Sequence, residues 1–561
     1  MSIGKLNISQ TANNRYRYLQ VFSLLWLVTF ILYYPAARSG MVGDFPYYVQ
    51  DIKQQSLWEY INPRHSLVLY QTMKLTMYVL YKLFGLHPWL WHLVYVTLHA
   101  LNGLLLFILF STLLLDSKIK NGVFIPFAAV CLFIICPHAS EAVVWKPANH
   151  FLLVPALIFL TLVIVQRFHK KQKAWYAILS GFLFFYSSFS LEFFYLTPWL
   201  VLLLICYYRF VLDYDKVIFR KAIYWFFIPL TALFIVNLLL LRIQSNTFLS
   251  HYGNMPVQPL LYYLDKPIKY VYHVIFFGRF FPHETRDKIY RLCESKKAIF
   301  LFYGLFTGFW IYVLYRFKQV SIKLKLLALI AAYTLLTYLF LAPLLFADLF
   351  LVDLDRYTYL ANGFAYMLLV LLISFISLRL LQFLILGTYA IINLWFTVKV
   401  SRYWQESTNI IDHLMSDMPY PGNKTVILLN VPDDLNGIPM IAAEPEGRFK
   451  TMVNEMTSHP LKNNVYDAVA YNMLTEEDGA HVMVINDSML HVTLNQWGTW
   501  WHYGLLGASS YENEDYKLNM ADVGHWYELT LKHPVSQYLL LYQVGSQWKI
   551  VDWNKKNVDQ Y

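Results

Sequence analysis

The chain of 561 residues is 58% hydrophobic and only 14% charged, which excludes an ordinary soluble globular protein of this size. Its net charge of +10 comes from basic residues in short segments between apolar runs, a distribution typical of membrane orientation. We therefore do not expect nucleic acid as a partner. The aromatic content of 18% agrees with this, because Tyr and Trp accumulate at membrane interfaces.

Apolar runs of about 20 residues predict membrane-spanning helices, because a helix satisfies its own backbone polar groups across about 30 Å of hydrocarbon. Eleven candidate runs contain no Lys, Arg, Asp or Glu: 18–37, 88–115, 123–140, 147–166, 174–191, 193–208, 222–241, 298–315, 326–347, 357–378 and 380–398. The predicted fold class is a polytopic α-helical membrane protein with about eleven transmembrane helices.

The stretch 66–86 is ambiguous, because it is apolar but carries two lysines and a glutamine. If it does not span and 1–17 is cytoplasmic, the inside loops hold most of the cations, including the cluster at 167–173. The short outside loops then hold only Lys146 and Arg356. Because cytoplasmic loops carry the excess of Lys and Arg, we interpret 66–86 as an amphipathic helix in the outer interface.

This topology divides the chain. The transmembrane domain is predicted at 18–399, with a first outer loop at 38–87 and a large outer loop at 242–297. The tail 400–561 is predicted to be an extracytoplasmic α+β domain whose role the sequence leaves open.

Within the tail, Pro421-Gly422-Asn423 marks a boundary, and the run 425–431 is typical of a buried strand. Residues 438–457 are predicted to be helical. Alternating runs near 481–495 and 526–553 predict hairpin strands.

The outer loops carry polar residues that could form a site. Asp44 follows Gly43 in the first outer loop and is either a turn residue or a functional acid. His138 and Glu141 are three residues apart, a spacing that places both on one helical face or makes them an interfacial cap.

Glu192 lies in the run 174–208, which is otherwise free of ionisable acids and bases. Such a carboxylate costs several kcal/mol near lipid unless it is paired or faces a cavity, so we expect it in a site. Arg356 lies at the mouth of a predicted span. It either pairs with Asp353 or Asp355, or binds an anion such as phosphate.

Four outer segments, far apart in sequence, thus present an acid or an arginine at similar depth, which favours one cavity that opens outward. Activated donors outside the cytoplasm are usually lipid-linked phosphates. A carboxylate there can accept the proton of an acceptor hydroxyl, and cations can stabilise the departing phosphate. The alternative is a flippase or transporter for a lipid-linked substrate, which predicts ionisable groups on a path to both faces.

Four motifs resemble those of a known family. The runs FGLHPWLWHL at 84–93 and HALN at 99–102 resemble the second-span region of the GT-C superfamily, specifically of polyprenyl- or dolichyl-phosphate-sugar-dependent protein O-mannosyltransferase-like enzymes. PHASEAV at 137–143 is similar to their second acidic loop, and SLE at 190–192 to their Lys-Glu signature with Leu instead of Lys. DRYTYL at 355–360 resembles their Glu-Arg-Tyr-x-Tyr-Leu run.

The resemblance implies a glycosyltransferase that uses a polyprenyl-phosphate sugar, with Asp44 as general base and Glu141 as the second-loop acid. Lys146 or Arg279 could replace the missing lysine. The residues expected to bind substrate or phosphate are Arg356, Lys146, His138, Glu192 and Arg279. The family often has paired acids at this point of the first loop, whereas here Gly43 precedes the single acid Asp44, which weakens the case for a divalent metal. The acceptor would be a protein, a glycolipid or a cell-surface polysaccharide. The expected location is a bacterial inner membrane, with the site and tail facing the periplasm.

Overall fold

The computed structural model is helical over most of the chain up to residue 416. It describes residues 8–62, 68–119, 124–246, 248, 260–342, 355–441, 447–494, 510–521 and 525–553. The helices of this first part, labelled α1 to α19 in chain order, are Ile8–Tyr33, Phe45–Gln54, Leu57–Tyr60, Gln71–Phe84, Pro88–Asp116, Phe124–Ile134, Ser140–Val144, Asn149–Lys171, Trp175–Ser188, Thr197–Cys206, Lys216–Ala222, Ile228–Ser245, Leu260–Leu264, Lys266–Ile275, His283–Glu294, Lys296–Tyr315, Ile322–Leu341, Tyr359–Ile373 and Arg379–Ser416.

Membrane-spanning helices dominate this part. Within the described ranges, nine helical stretches are long and apolar enough to cross a membrane: Tyr16–Ala36, Pro88–Asp116, Lys146–Lys171, Glu192–Val211, Lys216–Gln244, Lys296–Tyr315, Ile322–Phe340, Asp355–Ile373 and Arg379–Ser416. A tenth crossing results if Phe124–Ile134 and Pro137–Val144, which are bent by 58°, form one span. The predicted span at 174–191 is the 14-residue helix α9. The chain is a polytopic helical membrane protein, as its apolar runs predict.

Two of these stretches are the most enclosed. In both Lys146–Lys171 and Asp355–Ile373, 78% of the most apolar window is buried, against 11% in Lys296–Tyr315. Lys146–Lys171 runs in the same direction as Pro88–Asp116. Lys170 pairs with Asp116 at one end of the two helices (2.7 Å), and Tyr95 donates to the Lys146 carbonyl towards the other end. Pro88–Asp116 and Lys146–Lys171 therefore both begin at the end of the bundle that contains Lys146.

The segment between α1 and α5 contains helix α4, which has 14 residues and so is about 21 Å long, too short to cross about 30 Å of hydrocarbon. Met73 and Met77 of α4 are buried. The amide of Thr72 donates to the Phe189 carbonyl (2.9 Å), which fixes α4 beside the end of α9. That α4 lies along the outer interface stays a prediction.

In its described residues, the part after α19 consists mainly of strands, with one α-helix, α20 (Arg448–Met456). Its strands β1 to β12 are Thr425–Leu428, Val431–Leu435, Ile438–Pro439, Val465–Asp467, Ala470–Met473, His481–Val484, Met489–Thr493, Ser510–Glu512, Tyr516–Met520, Trp526–Leu531, Tyr538–Val544 and Gln547–Ile550. They form sheets of order β12-β11-β1-β4, β6-β7-β10-β9-β8 and β3-β2-β5. We call residues 417–553 the C-terminal domain.

Most elements predicted for this domain are present. β1 is a buried strand, and β6–β7 and β11–β12 are antiparallel hairpins within the predicted runs. The helix predicted at 438–457 is wrong in its first part, because Ile438–Pro439 is a strand paired with β2. Asn436 and Gly437 have positive φ angles (52° and 76°), the conformation of a tight type I′ hairpin turn.

Candidate active site

Trp145 is the centre of the site. Its indole N–H donates to the Val42 carbonyl (3.0 Å), and the amide of Lys146 donates to the Gly40 carbonyl (2.9 Å). The guanidinium of Arg356 lies 4.8 Å from the centroid of the Trp145 ring. The loop before Asp44, the turn after α7 and the start of α18 therefore meet at one end of the bundle.

Gly40 makes this junction possible. Its φ is +91°, and a Cβ atom there would lie 1.9 Å from the Val144 carbonyl oxygen. We expect Gly40→Ala to destabilise the protein by more than about 1 kcal/mol, because it combines a disfavoured backbone conformation with a backbone clash. Thermal unfolding of the purified protein measures this. Gly387→Ala is the matched control, since a Cβ there meets no atom within 4 Å; equal stability of the two variants would contradict the prediction.

Glu141 and Arg356 form a doubly hydrogen-bonded pair. The Arg356 guanidinium donates to Glu141 Oε1, and the backbone amide of Arg356 donates to Oε2 (2.9 Å). Glu141 is buried, and the Arg356 side chain is 14% exposed. Arg356 therefore pairs with Glu141 and not with Asp355, contrary to one of the alternatives drawn from the sequence; Asp353 lies outside the described residues.

Asp355 is the most heavily hydrogen-bonded buried carboxylate near the site. His138 Nδ1 (3.0 Å) and His273 Nε2 (2.7 Å) donate to its Oδ1, and the Arg279 guanidinium donates to its Oδ2. Arg279 Nη2 also donates to the Asn436 carbonyl (3.0 Å), in the hairpin turn of the C-terminal domain. His138 and Arg279, both predicted to bind substrate or phosphate, thus hold Asp355.

The Arg279 guanidinium places positive charge next to the Asp355 carboxylate. Burial lowers the pKa of His273 to about 4, although Asp355 acts in the opposite direction. His273 is therefore a neutral hydrogen-bond donor at pH 7. His138, His273 and Asp355 could hold a metal ion, because one ligand atom from each lies within 4.8 Å of the others. Arg279 already supplies positive charge to the same carboxylate, so we assign no metal to it.

Asp44 lies at the edge of the site with a half-exposed side chain. It is the residue before α2 but makes no capping hydrogen bond there. Arg448, the first residue of α20, donates to its Oδ1 (2.9 Å). The C-terminal domain therefore contacts the carboxylate that the sequence predicts as the base.

Two predicted site residues are buried with unpartnered polar atoms. Lys146 Nζ has no hydrogen-bond partner in the described part of the chain, and it lies 5.1 Å from the Tyr95 ring centroid. Glu192 Oε1 accepts from the Tyr70 hydroxyl (3.0 Å), while its Oε2 has no partner among the described residues. Neither Lys146 nor Arg279 pairs with Glu192, so neither replaces the missing lysine by direct contact.

Aromatic rings connect Glu192 to the rest of the site. Phe193, the next residue, packs edge-to-face on Phe151 with ring centroids 5.8 Å apart. The Arg356 guanidinium lies 5.7 Å from the Phe151 ring. The chain segments that carry Asp44, Glu141, Lys146 and Arg356 thus meet at Trp145, and Glu192 lies beyond Phe151. A single outward cavity that they all line stays a prediction.

The sequence did not single out Asp355, His273, Tyr70 or Arg448 as site residues. His273 gave a usable signal, because Lys266, Lys269 and His273 have the spacing of one helical face and all three are buried. Arg448 gave none, since the hydrogen bond to Asp44 joins residues 404 positions apart.

Comparison with known proteins finds several similar chains of solved structure, and two of them are crystal structures of the same protein. ArnT from Cupriavidus metallidurans in the apo state aligns over 77% of this chain and 86% of that chain, with 11% sequence identity and a TM-score of 0.39. ArnT from the same organism bound to undecaprenyl phosphate aligns over 76% and 85%, with 14% identity and a TM-score of 0.32. No protein-family model and no curated protein matches the chain.

Proposed function

We propose that this protein is a GT-C-type membrane glycosyltransferase that transfers a sugar, with inversion, from a polyprenyl-phosphate donor to an extracytoplasmic acceptor. The observation that best supports it is that the segments carrying Asp44, Glu141, Lys146 and Arg356 meet at Trp145. This arrangement combines a carboxylate suited to proton transfer with cations suited to a phosphate, as group transfer from a lipid-linked donor requires.

The donor phosphate supplies a partner for Lys146. A buried ammonium without a hydrogen-bond partner is costly, and an anionic ligand removes that cost. Arg356 is held in place by two hydrogen bonds to Glu141, so its guanidinium is oriented before the donor binds. Glu192 Oε2, which has no partner among the described residues, can accept a hydrogen bond from a sugar hydroxyl.

Asp44 is the general base of this proposal. The acceptor oxygen attacks the anomeric carbon and forms the new glycosidic bond, while its proton passes to the Asp44 carboxylate. The bond between the anomeric carbon and the phosphate oxygen breaks, and its electron pair leaves with the polyprenyl phosphate. The Asp44 side chain is 45% exposed, which leaves it accessible to an acceptor.

The proposed location is a bacterial inner membrane, with the site and the C-terminal domain facing the periplasm. This orientation follows the excess of Lys and Arg in the predicted cytoplasmic loops. The acceptor class is a protein, a glycolipid or a cell-surface polysaccharide. The proposed proton transfer needs no divalent metal.

A transfer assay tests the proposal. Purified protein in liposomes receives a radiolabelled polyprenyl-phosphate hexose from a panel of sugars, together with an extract of envelope acceptors. We expect the label to move from the lipid to an acceptor. Acid hydrolysis of that acceptor should then release the labelled sugar. Translocation of the labelled lipid across the liposome without a new glycosidic bond would instead establish the flippase alternative.

A further inference from the structure

Two helices from distant parts of the chain lie side by side at the edge of the site. Helix α2 follows Asp44, and helix α20 belongs to the C-terminal domain. Arg448 pairs with Asp44 at their beginnings (2.9 Å), and Lys53 pairs with Glu455 at their ends (2.7 Å). The amide of Gly43 also donates to the Met440 carbonyl (2.9 Å). The C-terminal domain is therefore attached to the loop that carries the proposed base.

The two ion pairs differ in environment. The Arg448 side chain is 11% exposed, and its guanidinium lies 4.8 Å from the Tyr47 ring centroid, so stacking and pairing together restrict it. The Lys53 side chain is 45% exposed. Glu455, its partner, is 13% exposed, so each pair has one member that is about half exposed, and the charge attraction in such a pair contributes little to stability. Of the two cations, Arg448 is therefore the more restricted in position.

The start of α20 is fixed close to the sheet. Gly447 has a φ of +86°, and a Cβ atom there would lie 2.2 Å from the Val465 carbonyl oxygen in β4. Only glycine accepts this approach without strain. The position of Arg448 is therefore set by the folded C-terminal domain.

We propose that Arg448 is a positioning residue for Asp44 and that the C-terminal domain is by this contact a required part of the active site, an inference that depends on the proposed function. Arg448 engages Oδ1 of Asp44, and Oδ2 has no partner within the described residues. One oxygen is thus held while the other remains available to accept a proton from the acceptor hydroxyl. Reactive groups misplaced by about 1 Å can lose about 100-fold in rate.

The test compares Arg448→Gln with Lys53→Gln in the sugar-transfer assay on the full-length protein. We expect Arg448→Gln to lower kcat by about 10- to 100-fold with little change in the donor KM. Arg448→Lys should recover part of this loss, because it restores the charge without the planar fork. Lys53→Gln, which breaks the other ion pair of the same two helices, should leave kcat close to that of the wild type.

Repeating the substitution in an Asp44→Asn protein separates an effect on the position of Asp44 from an effect on folding. If Arg448 acts through Asp44, then Arg448→Gln should cause no further loss in an Asp44→Asn protein. Equal losses in Arg448→Gln and Lys53→Gln, a change in donor KM alone, or additive losses in the double variant would overturn the inference. If Arg448→Gln unfolds the C-terminal domain, as judged by its protease resistance, the recovery by Arg448→Lys decides. Absence of transfer by the wild type would instead refute the proposed function, and this inference with it.

Discussion

Asp44→Asn is expected to reduce sugar transfer by about 100- to 10,000-fold, the range that a positioned general base contributes. The amide keeps the size of the side chain but cannot take the proton of the acceptor hydroxyl. The Asn amide oxygen can still accept the hydrogen bond from Arg448, and Asp44 is half exposed and makes no capping hydrogen bond, so the thermal transition of the protein should change little. Initial rates at saturating donor, together with thermal unfolding, measure both effects.

Asp51→Asn is the matched control. It makes the same chemical change seven residues later on α2, where the carboxylate accepts one long hydrogen bond from within the described residues, from Gln55 (3.4 Å). Burial raises the pKa of Asp51, and the nearby Lys74 opposes this rise. Transfer should survive in this variant. Full activity in Asp44→Asn would show that Asp44 is not the general base. It would not contradict the proposed transfer reaction.

The helical part of the fold could be predicted because lipid imposes a simple requirement: each span must be apolar and must satisfy its own backbone. The run 174–191 is apolar enough to predict a full span, but its helix ends at Ser188. The Ser190 hydroxyl donates to the Tyr186 carbonyl in the last turn of that helix. In the C-terminal domain, the apolar spacing at 438–457 predicts a helix from residue 438, but Ile438–Pro439 is the second strand of a hairpin with β2. The Asn436-Gly437 pair is the sequence signal of this hairpin turn.

The site residues divide in the same way. Glu192 could be predicted, because a carboxylate in an apolar run is costly unless it has a role. The sequence could not distinguish Asp355 from Asp353. Asp355 is identified as a site residue only by the three side chains that donate hydrogen bonds to it. Arg279 is 76 residues away in sequence, and His138 is 217 residues away. Contacts of this separation are set by the packing of the bundle, which a single sequence does not specify.

The second large effect is expected on stability. Asp355→Asn removes the counter-charge of Arg279, whose side chain is 4% exposed, and it weakens the hydrogen bonds from His138 and His273. Leaving one member of a buried ion pair without its partner costs about 3–5 kcal/mol. We expect a clear fall in the thermal transition of the purified protein, together with faster proteolysis near Asn436, because Arg279 also donates to the carbonyl of that residue.

A double variant shows whether the lost counter-charge is the cause. Arg279→Met replaces the cation by an apolar side chain of similar length, so Asp355→Asn combined with Arg279→Met should be more stable than Asp355→Asn alone. A double variant that is less stable by the sum of the two single effects would show that the residues stabilise the protein independently. Since Arg356 follows Asp355 directly, the same double variant should also recover part of any transfer activity lost through displacement of Arg356. Recovered stability without recovered transfer would confine Asp355 to a structural role.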